Sequence, residues 1–216
     1  RDKLVTGVQT CALPISAWRA DPARPRLLHF VSCEAWPVSA QDLLRATPPD
    51  PEIQALAAEL AAQFQGLVPG VHRLSFDGGQ VLLTLLIGEA QAMLRAQRPL
   101  ADSVYLDGFA PRLNPQMWSG HTLRAVARCC HRGTRLATWS TAGSVRDGLT
   151  QAGFKVEKVP GIAPKRENLH AIYDPHWQPH PPHPVLAEAR LPEGRRCAVI
   201  GAGLADRKST RLNSSH

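Results

Sequence analysis

Aromatic side chains are scarce, 6% of 216 residues, and there are only two methionines and two tyrosines. A loop that gathers Phe109, Met117 and Trp118 within ten residues therefore stands out. No uninterrupted apolar run reaches the ~18 residues that a membrane-spanning helix needs, so the sequence predicts a soluble chain with no membrane contact. The opening lacks a basic start followed by a long apolar core, which argues against a secretory signal. The five cysteines, Cys11, Cys33, Cys129, Cys130 and Cys197, form no CxxC pair. Neither a zinc site nor a disulfide framework is expected, and a reducing cytoplasm is the predicted home. Cys129 and Cys130 fall near the end of a predicted helix, where packing is the expected role.

The formal charge is +7. Clustered Lys and Arg gain affinity for polyanions by displacing counterions from phosphate, so the charge fits a nucleic-acid partner without demanding one. Some of it lies at the ends. RDKLVTGVQTCALPIS and DRKSTRLNSSH resemble translated sequencing-adapter sequence, and residues 1–16 and 206–216 are predicted to be non-native; the first fits no helix or strand template well.

Between these ends the pattern alternates. RLLHFVS from Arg26 reads as a buried strand. Helices are predicted from about Ser39 to Arg45 and over PEIQALAAELAAQF, where Ile53, Leu56, Leu60 and Phe64 share one face. HRLSFDGGQVLLTLLIG reads as two strands joined at Asp77-Gly78-Gly79, because a glycine pair supplies the positive φ angles of a tight turn. A helix from about Ala90 to Ala96, the strand DSVYLD, a helix from about His121 to Cys130, the strand TRLATWS and the helix SVRDGLTQAG follow, the last ending at Gly153 in a left-handed cap. FKVEKVP and ENLHAIY complete the pattern as antiparallel strands. Such alternation predicts an α/β domain with a mainly parallel sheet covered on both faces. The Pro-rich segment 174–194 reads as a linker; His176, His180 and His183 within it have no nearby acidic or thiolate ligand, so no metal is expected.

In a doubly wound sheet a ligand lies across the carboxyl ends of the strands. Three carboxylates stand there: Glu34 after the first strand, Glu89 after the hairpin strand and Asp107 after DSVYL. An acidic residue at Glu34's position suits hydrogen bonds from ribose hydroxyls. Taken singly, Glu34 or Glu89 reads first as a solvated strand-end carboxylate. Asp107 is more telling, because LDGFAPRLNPQMW places a carboxylate, Gly108, Phe109 and two prolines in one loop, a composition suited to gripping a substrate. A carboxylate there can hold an amine in line with a methyl sulfonium, beside an aromatic that stacks on a base.

LHFVSCEAWPVS, PGVHRLSFDGGQVLLTLLIGEA, YLDGFAPRLNPQMW, RLATWSTAGSVRDGLTQAGFKVEKVPG and PKREN together resemble the methyltransferase domain of the MnmC family, over about Arg26 to Leu169. The resemblance implies a Rossmann-like S-adenosylmethionine-dependent methyltransferase fold. It also implies methyl transfer to the amine of 5-aminomethyl-2-thiouridine in tRNA. Carried over residue by residue, it assigns Glu34, Ala35, Trp36, Gly88 and Glu89 to the cofactor, with Glu89 standing where the family more often has Asp. Asp107 would lie beside the reacting centre; Phe109, Asn114, Pro115, Met117 and Trp118 would shape the substrate pocket, and Lys165 and Arg166 would meet tRNA phosphates.

The family opens its sheet with a strand and a glycine-rich loop that no segment before Arg26 matches. The expectation is thus a partial methyltransferase domain over residues 17–173 that lacks its first strand and a middle member of its sheet. Ser144 and Ala163-Pro164 are smaller departures. RRCAVIGAGLA resembles the first strand and turn of an FAD-binding domain, so residues 195–205 are predicted to begin an oxidoreductase domain in which Gly201 and Gly203 would approach FAD in a longer parent protein. Asp206 replaces the third glycine. Two other readings remain: a catalytically silent tRNA-binding remnant, favoured by Lys165 and Arg166 without the cofactor loop, and a flavin or nicotinamide oxidoreductase, which lacks the later strand and acidic residue of a dinucleotide fold.

Overall fold

A computed structural model describes residues 7–161, 166–178 and 195–201, with backbone alone at 7–13 and 195–201. Its elements are α1 (Gly7–Ala20), β1 (Leu27–Glu34), α2 (Ala40–Ala46), α3 (Pro51–Gln63), β2 (Gly70–Phe76), β3 (Val81–Ile87), α4 (Ala90–Gln97), β4 (Ala101–Leu106), α5 (Gly120–Ala127), β5 (Cys130–Thr138), α6 (Gly143–Gln151), β6 (Phe154–Pro160), β7 (Glu167–Tyr173) and β8 (Arg195–Gly201). The strands form one sheet in the order β2-β3-β1-β8-β4-β5-β7-β6. From β3 to β5 neighbours are parallel, and β2, β7 and β6 attach antiparallel at the two sides.

Local chemistry sets many boundaries. Ser39, Asp50 and Ser119 each accept a backbone N–H of the first helical turn, capping α2, α3 and α5. Between β2 and β3, Asp77, Gly78 and Gly79 all adopt positive φ, at 50°, 62° and 89°. The turn thus needs its glycines as expected, and a non-glycine residue joins them.

Alternation along β1 and β3 divides the core. Leu28 and Phe30 of β1, with Val81 and Leu83 of β3, pack under α1, α2 and α3. Val31 and Cys33, with Leu86, belong to the other core, which includes side chains of α4, α5 and α6. Because β1 pairs with β3 in a register that sets Phe30 beside Leu83 and Cys33 beside Leu86, each face is apolar across both strands. Helices on both faces of a mainly parallel sheet match the expected fold class.

Three expectations change. The sheet does not lack a middle strand: β8, from the segment read as the start of a second domain, lies between β1 and β4 and is parallel to both. A short apolar run such as CAVIG carries no local mark of which parallel slot it fills, so tertiary pairing decides. Residues 7–16 do belong to a helix, although Pro14 lies inside it. Burial of Ile15 and Trp18 favours this placement, and Arg19 grips Asp77 through two hydrogen bonds of 3.0 and 2.6 Å.

Finally, Cys130 starts β5 rather than ending a helix. Ala101 pairs with Cys130, and the register shifts before Ser103 pairs with Arg135. Gly133 at φ 89° and Thr134, whose hydroxyl donates to the Ala101 carbonyl at 2.6 Å, hold this irregularity. The linker reading of 174–194 falls largely outside the described residues, as do His180 and His183.

Candidate functional site

The carboxyl ends of β1 and β3 meet at Glu34 and Gly88. The Gly88 N–H donates to the Glu34 carbonyl at 3.0 Å, extending the parallel ladder by one bond. Gly88 has φ 151°, and a Cβ there would come within 3.2 Å of Met93 Cγ and Sδ. Glycine thus leaves the turn into α4 room to pass close to the cavity described next.

A cavity of about 820 Å³ opens here, lined by Cys33, Ala35, Gly88, Glu89, the first turn of α4, Arg95, Gln116 and Met117, among others. Its volume is within the roughly 300–1,000 Å³ of ordinary small-molecule and cofactor sites. Glu89 is the N-cap residue of α4, and its side chain makes no capping hydrogen bond. Backbone N–H groups at the start of a helix have no intrahelical acceptor, and here Ala90, Gln91 and Ala92 line the cavity.

Glu34 closes β1 with its carboxyl largely buried. Burial pushes its pKa from 4.5 up to about 7, opposed by hydrogen bonds from the backbone N–H groups of Trp36 and Ala35. The Trp36 N–H donates to Glu34 Oε1 at 3.0 Å, while the Trp36 ring is half exposed. A carboxylate held by backbone donors at the end of a central strand can accept further hydrogen bonds from vicinal hydroxyls. Burial also raises the thiol of Cys33, on the cavity wall, to about 12, leaving it a packing group rather than a nucleophile.

The loop after β4 carries the second half of the site. Asp107 directly follows β4 and is half-buried. Gly108 is buried: a Cβ there would lie 3.1 Å from Met117 Cγ and 3.3 Å from Trp118 Cζ2. The loop closes on itself, because Trp118 Nε1 donates to the Phe109 carbonyl at 2.7 Å and the Met117 N–H donates to Asn114 Oδ1 at 3.4 Å. Asn114 is buried, and its Nδ2 has no hydrogen-bond partner. A buried amide donor without an acceptor is costly, which makes Nδ2 a candidate contact for a ligand acceptor atom.

A second cavity of about 430 Å³ is lined by Pro111, Trp139, Ser140, Thr141, Ala142, Arg166 and Glu167. It lies beyond β4 in strand order, at the ends of β5 and β7, so β4 and Asp107 run between the two cavities in the sheet sequence.

The expected residues are therefore distributed. Ala35, Gly88, Glu89 and Met117 line the larger cavity; Arg166 lines the smaller one. Trp118 and Asn114 are buried within the loop, and Pro115 is exposed. Lys165 and Gly203 lie outside the described residues, and Gly201 is described by its backbone at the end of β8. Sequence reasoning did not single out Cys33, Arg95, Gln116, Trp139 or Ser140. Of these only Trp139 and Ser140 carried a signal, since they close the predicted strand TRLATWS at its carboxyl end; the observed strand stops at Thr138 and leaves both beyond it.

Among the described residues no group of three or more His, Cys, Asp or Glu stands where it could hold a metal ion, and no helix is long and apolar enough to cross a membrane.

Comparison with known proteins adds a family to this geometry. A family model described as S-adenosyl-L-methionine-dependent methyltransferase matches residues 51–174. That span includes Gly88, Glu89, Asp107 and the whole loop to Trp118. The chain is 69% identical over 190 residues to the tRNA 5-methylaminomethyl-2-thiouridine biosynthesis bifunctional protein MnmC of Acidovorax sp. (strain JS42). That match takes in 88% of this chain and 30% of the relative. The protein of the same description from Delftia acidovorans (strain DSM 14801 / SPH-1) is 62% identical, over 88% of this chain and 29% of the relative. The chain thus spans about 30% of the length of these relatives. Among solved structures, MNMC2 from Aquifex aeolicus aligns with TM-score 0.53 and 19% identity, covering 88% of this chain and 65% of that one, a likeness of fold.

Proposed function

The chain belongs to the S-adenosyl-L-methionine-dependent methyltransferase family, and we propose that it transfers a methyl group to the primary amine of 5-aminomethyl-2-thiouridine at the wobble position of tRNA, giving 5-methylaminomethyl-2-thiouridine. The observation that carries this reading is the cavity that Ala35, Gly88 and Glu89 line beside the Glu34 end of β1, with Asp107 at the end of β4 and a second cavity beyond it.

The residues present fit the cofactor. The cavity has the volume, Glu34 offers a carboxylate for the ribose hydroxyls, and the first turn of α4 offers N–H donors to acceptor nitrogens of a purine. When bound, S-adenosylmethionine supplies an electrophilic methyl on a sulfonium. The remaining task falls to the protein. An alkylammonium has no lone pair, so the amine must be neutral when it attacks, and the proton it sheds needs an acceptor. Asp107 orients the amine and takes that proton. Phe109 stacks on the base, and Asn114 Nδ2 meets an acceptor atom of the uridine. Trp139 and Arg166, on the smaller cavity, receive a neighbouring base and phosphate, with Lys165 beside them in sequence. The reaction belongs in the cytoplasm, where tRNA is modified. FAD, for which residues 195–205 resemble the start of a binding domain, takes no part in this step.

The test is calorimetric titration with S-adenosylmethionine, followed by methylation of undermodified tRNA, on the chain and on Asp107→Asn. Micromolar binding by both proteins, with turnover reduced about 10²-fold or more in the variant, is expected for a lost general base. Absence of binding by the unaltered chain, or equal turnover by both, overturns the reading.

A further inference from the structure

From residue 90 to residue 146 the sequence has eight arginines and two carboxylates, Asp102 and Asp107. Four of the eight, Arg95, Arg98, Arg124 and Arg128, are exposed along α4, α5 and their C-cap residues. Neither helix contains an acidic residue. Among the described residues no carboxylate forms an ion pair with any of the four. Asp102 is engaged by His131 Nε2 at 3.0 Å. The outer surface of α4 and α5 is therefore cationic without internal compensation.

The fold brings the four together. α4 packs against α5, and the two helices lead into neighbouring strands. The Ala101 N–H, at the start of β4, donates to the Cys129 carbonyl at 2.7 Å, and Ala101 pairs with Cys130 at the start of β5. Arg98 and Arg128 are the C-cap residues just before these two strands, so they meet at one edge of the sheet. Both guanidinium groups act on the same buried Cys129 thiol, opposing the rise that burial causes. Arg95 and Arg98 also line the larger cavity, together with Glu89, the N-cap of α4. That cavity thus runs beside the whole helix, roughly 13 Å at 1.5 Å per residue.

Helix chemistry does not account for this arrangement. One cation in the last turn answers the helix macrodipole. Two per helix, three residues apart in α4 and four apart in α5, set like charges side by side, which destabilises a helix. Arg98 moreover holds φ 42°, the left-handed cap conformation that glycine usually takes. Its side chain donates to the Arg95 carbonyl at 3.3 Å and to no carboxylate among the described residues. Strain and repulsion that no internal contact offsets point to a contact outside the chain.

We propose that Arg95, Arg98, Arg124 and Arg128 form a docking surface for the sugar-phosphate backbone of tRNA, continuous with the larger cavity along α4. This rests on the tRNA reading above and adds a surface separate from Lys165 and Arg166. The planar guanidinium fork takes phosphate oxygens two at a time, which suits a surface whose cations are all arginine. Each helix C-terminus sets about half a negative charge against a phosphate, and four full positive charges outweigh two such ends.

The experiment titrates undermodified tRNA with the full chain between about 50 and about 200 mM salt, and repeats this for Arg95→Gln/Arg98→Gln and Arg124→Gln/Arg128→Gln. Each pair of substitutions should weaken tRNA binding about tenfold or more and reduce the slope of log affinity against log salt by about 2. Arg124→Lys/Arg128→Lys, which keeps the charge, should restore most of the slope. Because like charges are relieved, both Gln variants should melt no lower than the unaltered chain, which separates lost contact from lost fold. The Arg124→Gln/Arg128→Gln protein should bind S-adenosylhomocysteine unchanged by calorimetry. Unaltered tRNA affinity and slope in both Gln variants, while the unaltered chain binds tRNA, overturns this surface and spares the tRNA reading. A loss in one pair alone overturns the joint surface. Arg95→Gln/Arg98→Gln that loses S-adenosylhomocysteine and keeps tRNA assigns those two arginines to the cofactor and overturns the inference. An unaltered chain that binds S-adenosylhomocysteine but no tRNA overturns the tRNA reading, and this surface with it.

Discussion

The indole N–H of Trp118 donates to the carbonyl oxygen of Phe109 at 2.7 Å, closing the loop that begins at Asp107. This ties the last residue of the DGFAP–NP–MW motif to its third, so the motif's most conspicuous aromatic holds the loop closed from within. Trp118→Phe keeps a buried ring and removes the donor. It should cost about 1 kcal/mol of stability. Cofactor affinity should be unchanged while turnover on tRNA falls several-fold; a variant with wild-type turnover would show that the loop's closure does not matter.

Glu34 sets a pH dependence. Its folded pKa of about 7 lies above its ordinary 4.5, so its contribution to stability is fully present below about 4.5 and is lost as pH rises through about 7. At about 1.36 kcal/mol per unit, the loss is on the order of 3 kcal/mol. Denaturant unfolding of the chain and of Glu34→Gln at pH 5 and pH 8 should show the difference shrinking in the variant.

Cofactor affinity should run the opposite way. Ribose hydroxyls donate to the ionised form, so binding should strengthen from pH 6 to pH 8 and level off above about 7, and Glu34→Gln should flatten that profile. A pH-independent affinity in the unaltered chain would remove Glu34 from the cofactor contact.

Gly108 permits the loop to fold back on its own tail. A methyl group at this position would meet Met117 Cγ at 3.1 Å and Trp118 Cζ2 at 3.3 Å, both buried. Gly108→Ala should cost roughly 1–3 kcal/mol, the usual penalty of overpacking, and should reduce methyl transfer by displacing Asp107. Thermal unfolding and turnover on the same preparation check both parts.

Cys33, Cys129 and Cys130 are buried, and burial raises all three thiols well above the ordinary thiol range. In the folded chain they should react with an aromatic disulfide reagent orders of magnitude more slowly than in denaturant. Saturating cofactor should slow Cys33 further, because it lines the larger cavity.

What could be read from the sequence was local. The helix over PEIQALAAELAAQF was legible because Ile53, Leu56, Leu60 and Phe64 recur at helical spacing, and Asp77-Gly78-Gly79 signalled its hairpin because positive φ has few alternatives. Asp107 was visible because strand, carboxylate and glycine are contiguous. The walls of the two cavities were not: Gln116 and Arg95, or Trp139 and Arg166, are neighbours only once separate strands and helices have docked.

The sequence by itself determined the α/β alternation, the covered parallel sheet and the strand-end carboxylates, since periodicity and turn chemistry act over a few residues. Only the tertiary structure decided that α1 docks through Trp18 and Arg19, that Cys130 opens a bulged strand, and that RRCAVIG takes the middle of the sheet. Each of these depends on long-range pairing or burial, where a short apolar segment fits several places and the partner strands select one.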